Sequence, residues 1–315
     1  MSISKQTYNI LKWCILVLAY GFLLYKLTTF NEYKSFFAQW QSVNFQQFSW
    51  LILAIFLLPL NWFLESIKWK VILSNLEKIS TFTAFKSVLS GITVGFFTPN
   101  RIGEYPGRVV YISNKNKVPS IALGFVGSLA QTLVILICGL PSAFIFFTHE
   151  KEFELLVGKT LWVFFFFGIL LLSVYFLLPI VSKYFLKIAI KQKKIEDTLL
   201  TIRSFSQKKL FKIFLFSFLR YTVFCLQFFL VLSFFGIDLT ITEAIISIAT
   251  NYLFVTFTPS IALSEAAIRG SYSILFIGAF SENLIGIATA GITIWIINYC
   301  LPMIVGSVFF AKSKL

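Results

Sequence analysis

Charge is scarce in this 315-residue sequence: 13% of its residues are Asp, Glu, Lys or Arg. A soluble domain carries about 25%. That deficit excludes an ordinary soluble fold and points to an integral membrane protein. Histidine occurs once, at His149 in the polar loop HEKEFE. The four cysteines, Cys14, Cys138, Cys225 and Cys300, are far apart in sequence and each sits in an apolar run. Neither a Cys-x-x-Cys pair nor any other metal-ligand spacing exists, so no metal centre or disulfide framework is expected. No nucleotide-binding loop and no nucleophile–base pair is legible, and no cofactor is expected. The net charge of +14 has no basic domain to occupy outside the apolar runs, which argues against nucleic acid.

What is present is apolar, at 58% of residues, with 39 phenylalanines suited to lipid-facing helix surfaces. A spanning helix needs about 20 apolar residues. Eight candidate spans fall at about 9–29, 48–67, 83–98, 119–147, 160–180, 211–235, 243–258 and 284–310. The runs are long and do not alternate, so the expected fold class is all-α integral membrane. Lys5 and Lys12 precede the first run, which reads as a retained span starting in the cytoplasm rather than a cleaved signal. Residues 1–315 read as a single membrane domain in two halves, about 1–180 and 211–315, joined by the basic linker 181–212. That linker is either a topogenic loop or an amphipathic helix touching anionic inner-leaflet lipids.

Two further segments, about 99–114 and 259–280, are too short and polar to cross easily. If both turn back inside the membrane, 19 of the 27 Lys and Arg lie on the N-terminal side and 4 on the other. Arg101, Arg108, Arg220 and Arg269 remain at membrane depth. Such a bias places both termini in the cytoplasm of a cell-membrane protein. The inside count includes Lys68, taken as a loop residue.

The two segments match each other. TPNRIGEYPGR (98–108) aligns with TPSIALSEAAIRGS (258–271), Thr98-Pro99 on Thr258-Pro259 and, with one extra residue in the second copy, Glu104 on Glu265. Arg108 and Arg269 each follow the glutamate by four residues. By the charge bias the first hairpin enters from the cytoplasm and the second from the opposite face. Opposed broken helices in corresponding positions are the signature of an inverted repeat with a site near the midplane. Thr98, Pro99, Gly103, Thr258 and Pro259 are the expected helix breakers, and Ser264 an N-cap of the second returning helix. Pro106 suits a first helical turn, where its missing N–H costs nothing.

Arg101, Glu104, Arg108, Glu265 and Arg269 are the candidate substrate-binding residues. With two helix N-termini pointing inward they form an anion site, a lipid phosphate being the obvious occupant. A bland alternative is that Glu265 with Arg269, and Glu104 with Arg108, pair at i, i+4 and merely brace the hairpins. Arg220 is either a snorkelling residue or a site member. Asn61, Gln131, Gln227, Asn251 and Asn298 suit interhelical hydrogen bonds.

At these two motifs the sequence resembles the lysylphosphatidylglycerol synthase transmembrane-region family, also called flippase-like membrane proteins. Ala267 stands where the family often has Gly. The resemblance covers nearly the whole chain. It implies two re-entrant hairpins and movement of lipid or lipid-linked substrates between leaflets. The soluble aminoacyl-transfer domain of larger relatives finds no room here, so synthase activity is not carried over. Three functions compete: a translocator working by alternating access, not an enzyme; a membrane transferase using its two carboxylates as acid and base; or a membrane partner of a separately encoded lipid-modifying enzyme.

Overall fold

The computed structural model describes residues 44–96, 98–149, 154–188, 193–259 and 262–313, with isolated positions before 44. The expected first span, 9–29, lies almost wholly outside the described residues. Among those described, the regular elements are helices and no strand occurs. They are α1 (Phe48–Leu73), α2 (Thr81–Gly95), α3 (Glu104–Arg108), α4 (Lys117–His149), α5 (Glu154–Phe176) and α6 (Leu178–Ile188). Then come α7 (Lys193–Arg203), α8 (Gln207–Phe234), α9 (Ile241–Phe257), α10 (Ala262–Ile277), α11 (Leu284–Trp295) and α12 (Leu301–Lys312).

Four stretches are long and apolar enough to cross a membrane: Phe48–Leu73, Asn114–Thr148, Gln207–Phe234 and Leu284–Lys312. A fifth results if Phe165–Phe176 and Leu178–Leu186, bent by 69°, form one broken span. The chain is thus a multi-pass membrane protein. Two of the eight expected spans come out differently. The runs 83–98 and 243–258 form α2 and α9, of 15 and 17 residues. At 1.5 Å per residue each falls short of the roughly 30 Å hydrocarbon layer. Polar caps fix where they begin. The Ser80 hydroxyl accepts from Thr83 N–H at the start of α2, and Thr240 with Glu243 forms a capping box at the start of α9.

The packing crosses between the halves. Helix α1 lies along α8, and Gln227 donates to the Ala54 carbonyl at 2.9 Å. Helix α2 packs on α12, where Thr93 donates to the Met303 carbonyl at 3.0 Å. Helix α9 packs on α4, and α10 on α11. In lipid there is no hydrophobic drive between helices, so association rests on close backbone approach and interhelical hydrogen bonds. Gly306 shows the first: a Cβ there would stand 2.1 Å from the Leu89 carbonyl oxygen. Outward faces carry the aromatic surplus, with Phe56, Trp162, Phe166 and Phe211 exposed.

The basic linker is structured where it is described. It supplies α6 and α7, which pack on each other, and α7 also packs on α4. Asn75, just beyond α1, donates to Ser204 Oγ at 2.7 Å, and Lys209 Nζ donates to the Ile72 carbonyl at 3.2 Å. On the same face Glu77 accepts from Asn116 Nδ2 at 2.8 Å and from Ser113 Oγ, tying the segment after α3 to the end of α1. Burial pushes the Glu77 carboxyl up, but hydrogen bonds from Ser113 and Asn116 outweigh it and hold it below the ordinary carboxylate range.

Two expectations follow. Gly306→Val should overpack α12 against α2 and cost about 1–3 kcal/mol, read as a lowered melting temperature in detergent, while Val308→Leu on the exposed face should change nothing. Because the folded Glu77 carboxyl titrates below its unfolded value of about 4.3, its contribution is present above that pH and is lost as pH falls through the folded value. Glu77→Gln should therefore flatten the acid limb of a stability–pH curve and leave pH 7 to 9 unaltered in slope.

Candidate functional site

The first hairpin is built by glycine. Its two arms carry Gly91 and Gly95 in α2, and Gly103 and Gly107 at and within α3. A Cβ on Gly107 would stand 2.8 Å from the Gly91 Cα, and one on Gly95 would stand 2.4 Å from the Glu104 Cγ. These residues therefore let α3 fold down onto α2 and lay the stems of Glu104 and Arg108 across it. The turn is fastened by Thr98, whose hydroxyl accepts from Gly103 N–H at 2.9 Å and donates to the Gly95 carbonyl at 3.0 Å. Pro99 opens a short 3-10 turn, as its missing N–H allows. Asn100 and Arg101 follow with φ of 45° and 57°. Two consecutive left-handed residues that are not glycine are costly and persist only where their surroundings hold them. Pro106 falls in the first turn of α3 as expected.

The second hairpin is plainer. Helix α9 ends at Thr258, whose hydroxyl donates to the Phe254 carbonyl at 2.8 Å and bonds Tyr272 Oη at 2.8 Å. Helix α10 then carries Glu265 in its first turn and Arg269 one turn on. Helix α10 begins at Ala262, which places Ser264 inside its first turn and not at the expected N-cap.

All five candidate charges meet in one place. Arg101 of the first hairpin grips Glu265 of the second with Nη2 at 2.8 Å and 2.9 Å from its two oxygens. Arg269 Nη2 stands 3.1 Å from Glu265 and donates to Tyr299 Oη at 2.9 Å. Glu104 takes Arg108 at 3.1 Å and Arg101 at 3.9 Å. The i, i+4 pairs of the bracing alternative therefore exist, but they are links in something larger. Arg108 runs on to Glu65 at 2.6 Å, and Glu65 also holds Arg220 at 2.8 Å and Lys68 at 2.7 Å. Arg220 is a member of this network rather than a snorkelling residue, with its Nε donating to Asn61 Oδ1 at 2.9 Å.

Sequence reasoning missed three members. Glu65 is buried at 3% exposure and is the hub of one end. Lys68 reads from the sequence as a cytoplasmic loop residue, yet it is 2% exposed, because α1 runs on to Leu73 and turns Lys68 onto the face of Glu65. The signal was available as Glu65 and Lys68 at i, i+3 inside FLESIKWK, the spacing of facing helix neighbours. Tyr299 sits in the π turn Ile296–Cys300 between α11 and α12. Pro302 lacks the N–H that would bond the Asn298 carbonyl, which accounts for the widened turn. The turn sets the Tyr299 ring 3.2 Å from the Arg101 guanidinium carbon, a cation–π contact.

Where the hairpins meet there is a cavity of about 330 Å³, lined among others by Asn100, Arg101, Thr258, Glu265, Arg269 and Tyr299. The tips of both repeated motifs thus face one space. Separate from it, an apolar cleft of about 300 Å³ between α4 and α5 is lined by Leu140, Pro141, Phe144, Ile145, Trp162 and Phe165. It carries none of the polar groups that fix a headgroup.

The network holds more cations than carboxylates, and this sets the sign of a test. Glu65→Gln leaves three cations around a neutral amide and should destabilise the fold by about 3–5 kcal/mol. Lys68→Met removes one of the surplus cations and should be clearly milder. Melting temperatures of the two purified variants check the order, which reverses if Glu65 is incidental.

Comparison with known proteins bears on the same residues. The family model described as the lysylphosphatidylglycerol synthase TM region matches residues 10–306, a stretch that contains both hairpins and the whole charged network. No curated protein and no solved structure matches the chain. With nearly its full length matched, the chain belongs to the lysylphosphatidylglycerol synthase TM region family.

Proposed function

We propose that this protein carries a lipid or lipid-linked substrate with an anionic, phosphate-bearing headgroup between bilayer leaflets, unchanged, by alternating access. The observation that carries this reading is the Arg101–Glu265 contact: it joins two sequence-related hairpins at one charged cavity. An inverted repeat is the architecture that supports it. The first half would comprise α1 to α5, and the second α8 to α12. Packing across the halves agrees with a pseudo-two-fold arrangement, since α1 meets α8, α2 meets α12 and α9 meets α4. In this reading α2 with α3 enters from the cytoplasm and α9 with α10 from the other face, with both termini cytoplasmic.

Chemistry at the cavity suits the task. Arginine binds phosphate bidentately, and Arg101 and Arg269 both line the space. Glu265 competes with an incoming phosphate for Arg101. Binding would break the only ion pair that links the hairpins among the described residues, and so couple substrate entry to movement of one half against the other. Basic linker residues such as Lys208 and Lys212, beside Lys70 in a second cavity, would hold anionic inner-leaflet lipids. A separately encoded lipid-modifying enzyme would supply or receive the substrate.

Reconstitution into liposomes tests the reading. Leaflet-specific assays should show movement of labelled anionic lipid by the wild-type protein. Arg269→Ala should lower that movement at least about tenfold, the loss expected for one good charged contact, with insertion and yield near normal. Full movement with conservative changes at all five hairpin charges would sink it.

A further inference from the structure

We propose, on the translocator reading above, that the headgroup is doubly anionic, a phosphomonoester or diphosphate, and not a singly charged phosphodiester. The charges of the network do not balance. Lys68, Arg101, Arg108, Arg220 and Arg269 stand against Glu65, Glu104 and Glu265, a surplus of two positive charges in one connected network. Internal rearrangement cannot remove it, because every carboxylate is already shared. Glu65 serves three cations, Glu104 serves Arg108 and Arg101, and Glu265 serves Arg101 and Arg269.

Donors are also left over. The Nε atoms of Arg108 and Arg269 are buried without a hydrogen-bond partner among the described residues, and Arg269 is itself 8% exposed and lines the cavity. Such groups are costly to leave unmade, so a built site with spare buried donors points to an acceptor that arrives from outside. Glu265 is the one carboxylate lining the cavity among the described residues. Elsewhere Glu77 accepts from Ser113 and Asn116, and Glu243 closes the capping box of α9.

The surplus is divided along the network. The cavity end, Arg101 and Arg269 with Glu265, carries one positive charge, and the rest is held behind it around Glu65. At low dielectric a charge at that remove still acts on the cavity, since little water screens it. A phosphodiester brings one negative charge and leaves one cation unmatched. A phosphomonoester brings nearly two at neutral pH, its second ionisation lying near 6, and a diphosphate at least as many. Val255 and Phe257 among the cavity lining supply the apolar side that an amphiphile's first tail carbons require.

The test uses the full chain in liposomes and three lipids with identical tails: phosphatidic acid, phosphatidylglycerol and phosphatidylcholine. Phosphatidic acid should cross at least about tenfold faster than phosphatidylglycerol, and phosphatidylcholine slowest. Lys68→Met, which lowers the surplus to one, should bring the first two within about threefold of each other. Equal rates for phosphatidic acid and phosphatidylglycerol in the wild type overturn the inference and leave the translocator standing. Movement of none of the three contradicts the translocator itself. Uptake of labelled inorganic phosphate in the same liposomes separates the sources. Uptake without lipid movement would keep the doubly charged ligand and overturn its being a lipid.

Discussion

Everything in this structure hangs on three carboxylates that each hold more than one cation inside a membrane protein. Five Lys and Arg side chains at that depth would be costly if left to lipid, at about 2.5–3.5 kcal/mol apiece on insertion scales. Glu65, Glu104 and Glu265 make them tolerable by threading them into a single network that reaches from α1 and α8 through the first hairpin to the second. The network in turn dictates the backbone. Arg101 reaches Glu265 only because Asn100 and Arg101 accept left-handed conformations, and Glu104 and Arg108 lie across α2 only because glycine vacates the space.

The same arrangement gives the fold its two kinds of contact. Outside the site, helices meet through close backbone approach, at Gly306 against Leu89 and at Gly139 against Leu253. Such contacts are close, extensive and carry no net charge. At the site, the two hairpins meet through the Arg101–Glu265 ion pair, and Arg220 with Glu65 makes a second ion pair across the halves, between α8 and α1. Packing thus joins the halves broadly, whereas charge joins them, among the described residues, at these two ion pairs.

Much of this was legible in the residues. The apolar runs and scarce charge give the membrane class, and the Thr-Pro, Glu and Arg spacing picks out both hairpins and all five charges that meet between them. What could not be read was partnership across distance. Glu65 lies inside an apolar run with no repeat mate, so nothing local marks it as a hub. Lys68 reads as the end of a span because positive charge normally marks the interface, whereas here a buried carboxylate one turn away keeps it in. Tyr299 owes its position to a π turn that follows from Pro302, a local cue with a tertiary consequence. The described residues hold four or five crossing helices and not the full expected set, because hydropathy measures apolarity, and α2 and α9 are apolar but short.

The central claim, that two related hairpins enter from opposite faces and meet, is tested most directly by topology at their feet. In a chain with its four cysteines replaced, single probes would stand at Asn114, after the first hairpin, and at Glu282, after the second, both on exposed positions. An impermeant thiol reagent in sealed vesicles should reach Asn114→Cys from the cytoplasmic side alone and Glu282→Cys from the other side alone. Labelling of both from one side would contradict the inverted repeat, and with it the account of Arg101 and Glu265 as the contact between opposed halves.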